Sequence, residues 1–323
     1  MLETMAMGKR QRLAGAPPVL RSVTVTGLDV STIQSGIVFT SSAYLFVLQV
    51  QTGQIFAAPL SGLATGTLAF SGISPVVPAG ARPNAIYGRL APVNENRMYV
   101  YIPYMGSSYY NKLCTWQFNA PQAPVVGTTQ LFNENYRFGM GQVWYNGYFY
   151  YFGGRGNTLG TDMAVYAVPT PTSARTVHST GALPPGRAYM SYARSGDKIY
   201  VAGGMATDSG AATLKDAWCY DLLTRTWSQL ANMPIGLRNA SNAEVIGDKL
   251  YIFGGITNVA EDVSNQLLVY DITKNTWNIF TYSELVARQY AQGFQYNGKF
   301  YLISGFSGPS SGVWLPGVVE FTP

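Results

Sequence analysis

The sequence predicts an all-β fold, a six-bladed β-propeller closed by an N-terminal strand. Three observations carry that prediction. An aromatic-hydrophobic run with a tyrosine at a fixed place recurs about every fifty residues, at Tyr44, Tyr99, Tyr150, Tyr200, Tyr251 and Tyr301; a fixed period of that length marks a repeat architecture. The last four runs each follow a tight-turn signal, Asn146-Gly147, Ser195-Gly196-Asp197, Gly247-Asp248 and Asn297-Gly298. Such residues supply the positive φ angles of a hairpin, so the flanking runs become antiparallel neighbours. Composition agrees: 35 Gly, 18 Pro and 23 Tyr in 323 residues favour many short strands joined by turns.

The elements follow in order. FGMGQVWY and YFYYFGG of unit three pair as two inner strands. Downstream, WCYDLLTRTW and LVYDITKNTW place an Asp six residues before a Trp, at Asp221/Trp227 and Asp271/Trp277. That reads as a third strand, a polar turn and a fourth strand with its Trp packed inward, which makes each unit one propeller blade. The last unit stops after its third strand, Val318 to Phe321, while Leu20 to Val25 precedes unit one as an orphan strand. An unpaired edge exposes backbone donors and acceptors, so the orphan is expected to complete the last blade. Residues 1–19 then form a basic arm and residues 20–323 one domain.

Arginine, hairpin, aromatic run into Gly-Gly, then Tyr-Asp and Trp: this series resembles the Kelch repeat, over roughly residues 30–323 and most specifically in units four and five. The resemblance implies a propeller, commonly one that binds other proteins. It also implies two enzyme classes. Copper-dependent sugar oxidases of the family need more than one histidine, and His178 is the only one here, so that class is excluded. Sugar isomerases of the family employ acidic or arginine groups, for which Glu134, Glu244 and Glu284 are the first candidates.

Charge argues against a nucleic-acid partner. The net charge is +5; Lys9, Arg10, Arg12 and Arg21 against Glu3 account for most of it, and no later basic face stands out. No apolar stretch reaches the length of a membrane span. Cys114 and Cys219 are too few for a disulfide framework or thiolate zinc site. No cofactor, no metal and no catalytic residue is expected, since Asp197 and Asp248 occupy hairpin turns and Asp221 and Asp271 the repeat's own Tyr-Asp position. Gly153-Gly154-Arg155-Gly156 leads into strand-like sequence, whereas a phosphate cradle needs a helix N-terminus.

An arginine lies 13 residues before the tyrosine in the last four units: Arg137, Arg187, Arg238 and Arg288. Two compatible readings stand. The arginines brace neighbouring blades, or they ring the central mouth and bind acidic or polar groups. The segments after the glycines, 103–112, 155–162, 205–216, 256–266 and 306–317, share that side and carry Tyr104, Tyr109, Tyr110 and Trp314, large rigid groups suited to contact surfaces. These residues, with Lys9, Arg10 and Arg12 of the arm, are the candidate binding set. The function expected is non-catalytic: a structural or recognition propeller, in a virion (a phage tail or capsid) assembled in the host cytoplasm, contacting other structural proteins or a host-surface glycan or protein. The alternative is a carbohydrate-binding or sugar-converting propeller.

Overall fold

The computed structural model describes residues 16–29, 37–41, 43–49, 52–73, 89–94, 97–105, 109–117, 125–126, 130–132, 138–155, 163–167, 176–177, 186–206, 213–257, 262–308, 311–315 and 317–323. They form an all-β, propeller-like arrangement of mainly antiparallel sheets whose strands follow chain order, except where the N-terminal strand enters sheet six. Sheet one holds Ile37–Thr40, Tyr44–Leu48, Ile55–Pro59 and Ser71–Ile73; sheet two is built on Arg89–Asn94, Arg97–Met105 and Tyr109–Gln117. Sheet three runs Phe138–Tyr145, Tyr148–Arg155, Met163–Ala167 and Thr176–Val177, and sheet four Ser191–Ser195, Lys198–Ala202, Ala217–Asp221 and Thr226–Gln229. Sheet five runs Glu244–Ile246, Lys249–Phe253, Gln266–Asp271 and Thr276–Thr281; sheet six begins Gln292–Tyr296, Lys299–Ile303 and Val318–Thr322. The first strand of each sheet touches the first strand of the next, and that of sheet six touches that of sheet one.

The N-terminal strand Val19–Thr26 joins sheet six. It pairs antiparallel with Val318–Thr322, from Val19↔Thr322 to Val23↔Val318. Its second half then pairs in parallel with Thr67–Ala69, the segment just before the last strand of sheet one. One strand therefore holds the chain's two ends together and ties sheet six to the sheet-one segment. Docking starts slightly earlier than the sequence suggests: the Tyr282 hydroxyl donates to the Pro18 carbonyl at 2.7 Å, so the chain is anchored from Pro18 rather than Leu20.

A buried carboxylate locks this junction. Glu320 is 2% exposed and accepts from Arg21 Nη2 at 2.6 Å, Lys299 Nζ at 2.7 Å, the Tyr301 hydroxyl at 2.9 Å and the Thr322 hydroxyl at 3.1 Å. Burial alone would raise its carboxyl; the hydrogen bonds outweigh it and hold the group down at about 2. Satisfying a buried charge with several donors is what makes such burial tolerable.

The core lies between sheets. Ala193, Tyr200 and Cys219 of sheet four pack with Leu250, Ile252, Leu268 and Tyr270 of sheet five, and Tyr251, Phe253 and Val269 pack with Phe300, Leu302 and Phe321 of sheet six. The period-2 alternation of each strand thus feeds two seams, one on each face. The fourth strand's tryptophan fastens the seam: Trp277 Nε1 of sheet five donates to the Ala231 carbonyl beyond sheet four at 2.8 Å. Cys219 is buried and free, as an inert small core residue.

One segment departs from expectation. In place of the long connection expected at residues 103–112, the ladder of sheet two continues through Pro103↔Asn111, Tyr104↔Tyr110 and Met105↔Tyr109. Unit two has no Gly-Gly after its aromatic run, and its hairpin extends to Met105↔Tyr109.

The candidate recognition face

Beyond the glycines, sheets four to six share one device. Met205 bridges Ala188 and Thr213, Ile256 bridges Arg238 and Val263, and Phe306 bridges Gln289 and Trp314. These bridges prolong each sheet on the side of the long connections. At the same level a chain of backbone hydrogen bonds runs from sheet to sheet: Tyr189 N–H to the Gly139 carbonyl at 2.7 Å, Asn239 to Tyr189 at 3.0 Å, and Tyr290 to Asn239 at 2.8 Å. All four residues have φ between 54° and 60°, sparsely populated for non-glycine residues and maintained only where the surroundings impose it. Gly139 is obligatory here, because a Cβ would stand 2.5 Å from the Tyr189 ring.

The inner strands add a polar ladder. Ser191 Oγ donates to the Ser241 carbonyl at 2.8 Å, Asn239 Nδ2 to Gln289 Oε1 at 3.5 Å, and Asn242 Nδ2 to Gln292 Oε1 at 3.3 Å. Sheets four, five and six are thus linked by neutral amides and hydroxyls. Sequence reasoning looked for charged and aromatic groups and passed over these; their recurrence at 50-residue spacing was the available signal.

Arg187 and Arg288 are buried and hydrogen-bonded within their own repeat units. Arg187 is fully buried and forms a two-pronged pair with Asp216, Nη1–Oδ1 3.0 Å and Nη2–Oδ2 2.6 Å, while Nη1 also reaches the Gly203 carbonyl at 3.1 Å. Asp216 in turn accepts from Trp218 Nε1 at 2.6 Å. Arg288 is 4% exposed and Arg238 9%. The side chains of Arg187, Arg238 and Arg288 are thus buried, and they offer little open basic surface. Arg137, Lys9, Arg10, Arg12, Glu134 and His178 lie outside the described residues, and of Tyr104, Tyr109 and Tyr110 only the strand position is described.

Arg238 is also out of phase with the other two. From Ala188↔Met205 to Ala193↔Tyr200 each strand advances five residues, whereas from Arg238↔Ile256 to Glu244↔Tyr251 the inner strand advances six against five. One extra residue, a bulge, sits between Arg238 and Glu244, so Arg238 matches Ala188 and Leu237 matches Arg187. Counting 13 residues back from the tyrosine could not reveal it.

The same register places Glu244 opposite Tyr251, where Val143, Ala193 and Phe294 stand opposite Tyr150, Tyr200 and Tyr301 in the other sheets. Those three are buried. Solvent reaches part of the Glu244 side chain, but the packed protein around it pushes the carboxyl up to about 8. Below about pH 4 this carboxyl is protonated whether the chain is folded or not; between about 4.3 and 8 the folded protein retains a proton that the unfolded chain releases. Stability from this residue therefore declines as pH rises through that window and is level above it. Glu244→Gln is expected to flatten that slope in urea melts between pH 5 and pH 8. Glu244→Val, restoring the apolar residue of its peers, should raise stability at pH 8, where the parent must charge this carboxyl; a loss of stability would contradict the assignment.

The remaining carboxylates serve turns. Asp221 Oδ1 accepts from the Leu223 and Thr224 N–H groups at 2.9 Å, and its carboxyl is held at about 2 by the Thr224 N–H and the Lys198 ammonium. Asp271 Oδ1 accepts from Lys274 N–H at 2.9 Å and the Thr273 hydroxyl at 2.8 Å. Glu284 is exposed. Among the described residues there is no group of three metal-ligating side chains, and no helix is long and apolar enough to cross a membrane.

Trp314 remains as a surface group. It is half-buried, its ring 5.3 Å from that of Phe306, beside Val313, which is 64% exposed. Val286, 54% exposed, precedes Arg288 into the same sheet.

Comparison with known proteins agrees with this geometry. The chain is similar to Kelch-like protein terF of Aspergillus terreus, 34% identical over 89 residues, covering 26% of this chain and 19% of that protein. It is 36% identical over 104 residues to Kelch-like protein 25 of Xenopus tropicalis, covering 30% and 17%. The matches thus span less than a fifth of those relatives' lengths. The solved structure titled "Structure of YjhT" superposes with a TM-score of 0.68 at 15% identity, covering 93% of this chain and 97% of that one, a likeness of fold. The model of the KLHDC2/KLHL20/DRC7 Kelch-repeats domain matches residues 63–237 and 139–321, and with the sheet order and glycine bridges above, the chain belongs to the Kelch-repeat family.

Proposed function

We propose that the protein is a non-catalytic recognition propeller of six blades, its ring closed by Val19–Thr26, that docks another protein on the face of the post-glycine connections. The observation that carries this reading is the apolar corner of sheet six, where exposed Val313 adjoins the half-buried Trp314–Phe306 pair. Tryptophan is among the side chains most enriched at the energetic centres of protein interfaces. The burial of Arg187, Arg238 and Arg288 and the turn-bound aspartates leave little acid–base chemistry among the described residues of that face. Placement in a virion, with the arm's Lys9, Arg10 and Arg12 holding a neighbouring structural protein, is supported by the low charge and the abundance of Tyr, Gly and Ser; proteomics of purified particles tests it.

A photo-reactive residue at position 313 is expected to cross-link a polypeptide in the producing cell. The same group at Leu223, exposed in the turn between third and fourth strands on the opposite face, should not. Trp314→Ala should then weaken the captured partner at least tenfold, since buried anchors cost about 2 kcal/mol or more on truncation. Cross-links from 223 alone would reverse the face. A glycan array combined with a reducing-sugar assay tests the alternative: a positive result with no cross-links from 313 would favour the carbohydrate reading, for which Glu244 is, among the described residues, the candidate acid on an inner strand.

A further inference from the structure

Two buried arginines stand in equivalent places and keep different company. Arg187 Nη1 donates to the Gly203 carbonyl at 3.1 Å, and Arg288 Nη1 to the Ser304 carbonyl at 3.2 Å. The frames match further: Gly203 N–H donates to the Asp216 carbonyl, and Ser304 N–H to the Gly317 carbonyl. Asp216 and Gly317 each directly precede the third strand of their sheet. In sheet four this residue supplies the carboxylate that closes on Arg187. In sheet six it is a glycine, and among the described residues nothing beyond its chain neighbours lies within 4 Å of where its Cβ would stand.

Arg288 therefore has the burial of its counterpart without the counter-charge. Its side chain is held by the Val286 carbonyl on Nε, at 3.2 Å, and the Ser304 carbonyl on Nη1; among the described residues no carboxylate pairs with it. Burial lowers its pKa to about 10, and no charged neighbour offsets that. Ser304 adds a second unmet group at this corner: it is 3% exposed, and its hydroxyl has no hydrogen-bond partner. A buried guanidinium without an anion is a costly arrangement, and one removed partner is all that separates it from sheet four.

We propose that Arg288 and the opening at Gly317 form a carboxylate-binding site, in which an external carboxylate takes the place held by the Asp216 side chain in sheet four. The planar guanidinium offers the fork geometry for bidentate binding, which favours carboxylate over halide. Gly317 is half-exposed and Ser311, Gly312 and Val313 are exposed, so the approach is from the post-glycine face, radially outside the inner strands. The carboxylate is either that of a small free acid or an acidic side chain of a docked polypeptide; both present the same two oxygens. The site does not depend on the docking reading, because small carboxylates are tested on the protein alone.

The test uses thermal melts of the full chain at pH 7 with sodium acetate, with a Gly-Glu-Gly peptide blocked at both ends, and with its Gly-Gln-Gly counterpart, each against sodium chloride at equal ionic strength. Gly317→Ala and Gly317→Asp are the variants; both carry the backbone strain of a side chain at φ 94°, so their difference isolates the carboxylate. Acetate or the Glu peptide is expected to raise Tm of the parent and Gly317→Ala saturably, by about 2 °C or more beyond chloride, while the Gln peptide does not. Gly317→Asp should melt above Gly317→Ala and no longer respond. A response to acetate with none to the Glu peptide identifies a small acid as the occupant; a stronger response to the peptide identifies a partner's side chain. The proposal is overturned if neither exceeds chloride, or if Gly317→Asp responds as fully as the parent.

Discussion

Deleting residues 1–28 is expected to abolish cooperative folding and yield an aggregating protein, whereas deleting residues 1–15 should leave Tm almost unchanged. The longer deletion removes the five pairs with Val318–Thr322 and the three with Thr67–Ala69. At about 1 kcal/mol net for each ladder hydrogen bond, this approaches the 5–15 kcal/mol of an ordinary domain. It also strips Val23 from the core cluster, takes Arg21 from Glu320 and from the Leu63 carbonyl, and leaves Val318–Thr322 as an open edge able to pair with another chain. Size-exclusion chromatography and denaturant melts of both truncations measure the effect. A longer truncation that stays monomeric and melts like the parent would show that closure contributes little.

The second large effect is expected at Asp216. Asp216→Ala should cost about 3–5 kcal/mol, the range for removing one partner of a buried ion pair, because Arg187 is left charged with 0% exposure and Trp218 Nε1 loses its acceptor. Asp248→Ala is the control: that carboxylate is 51% exposed and pairs with Lys249 in a hairpin turn, where exposed pairs contribute about 0–1 kcal/mol. Urea unfolding of the two variants settles the order. Equal losses at both positions would show that the buried pair with Arg187 contributes no more than the exposed one.

The two aspartates show how far local sequence goes. Asp248 could be assigned to a hairpin from Gly247-Asp248 alone, since turn chemistry is local. Asp216 carries no such mark, and its value comes from meeting Arg187 across 29 residues of chain. The arginine series shows the same boundary more sharply. Spacing from the tyrosine aligned Arg187, Arg238 and Arg288, yet one extra residue between Arg238 and the strand Glu244–Ile246 moved Arg238 out of line, and counting back from the tyrosine does not say where along the chain an extra residue sits.

By itself the sequence determined the repeat, the strand content, the hairpins and the need for an N-terminal strand beside Val318–Thr322, because period, turn residues and apolar alternation are properties of short stretches read along the chain. Tertiary structure alone decided which of the repeated groups are equivalent, that Arg187, Arg238 and Arg288 are buried, that Glu244 stands opposite Tyr251 where its peers are apolar, and that among the described residues Arg288 lacks the acid its counterpart has. Each depends on how two segments distant in sequence approach one another, and burial, charge pairing and pKa are set by that approach.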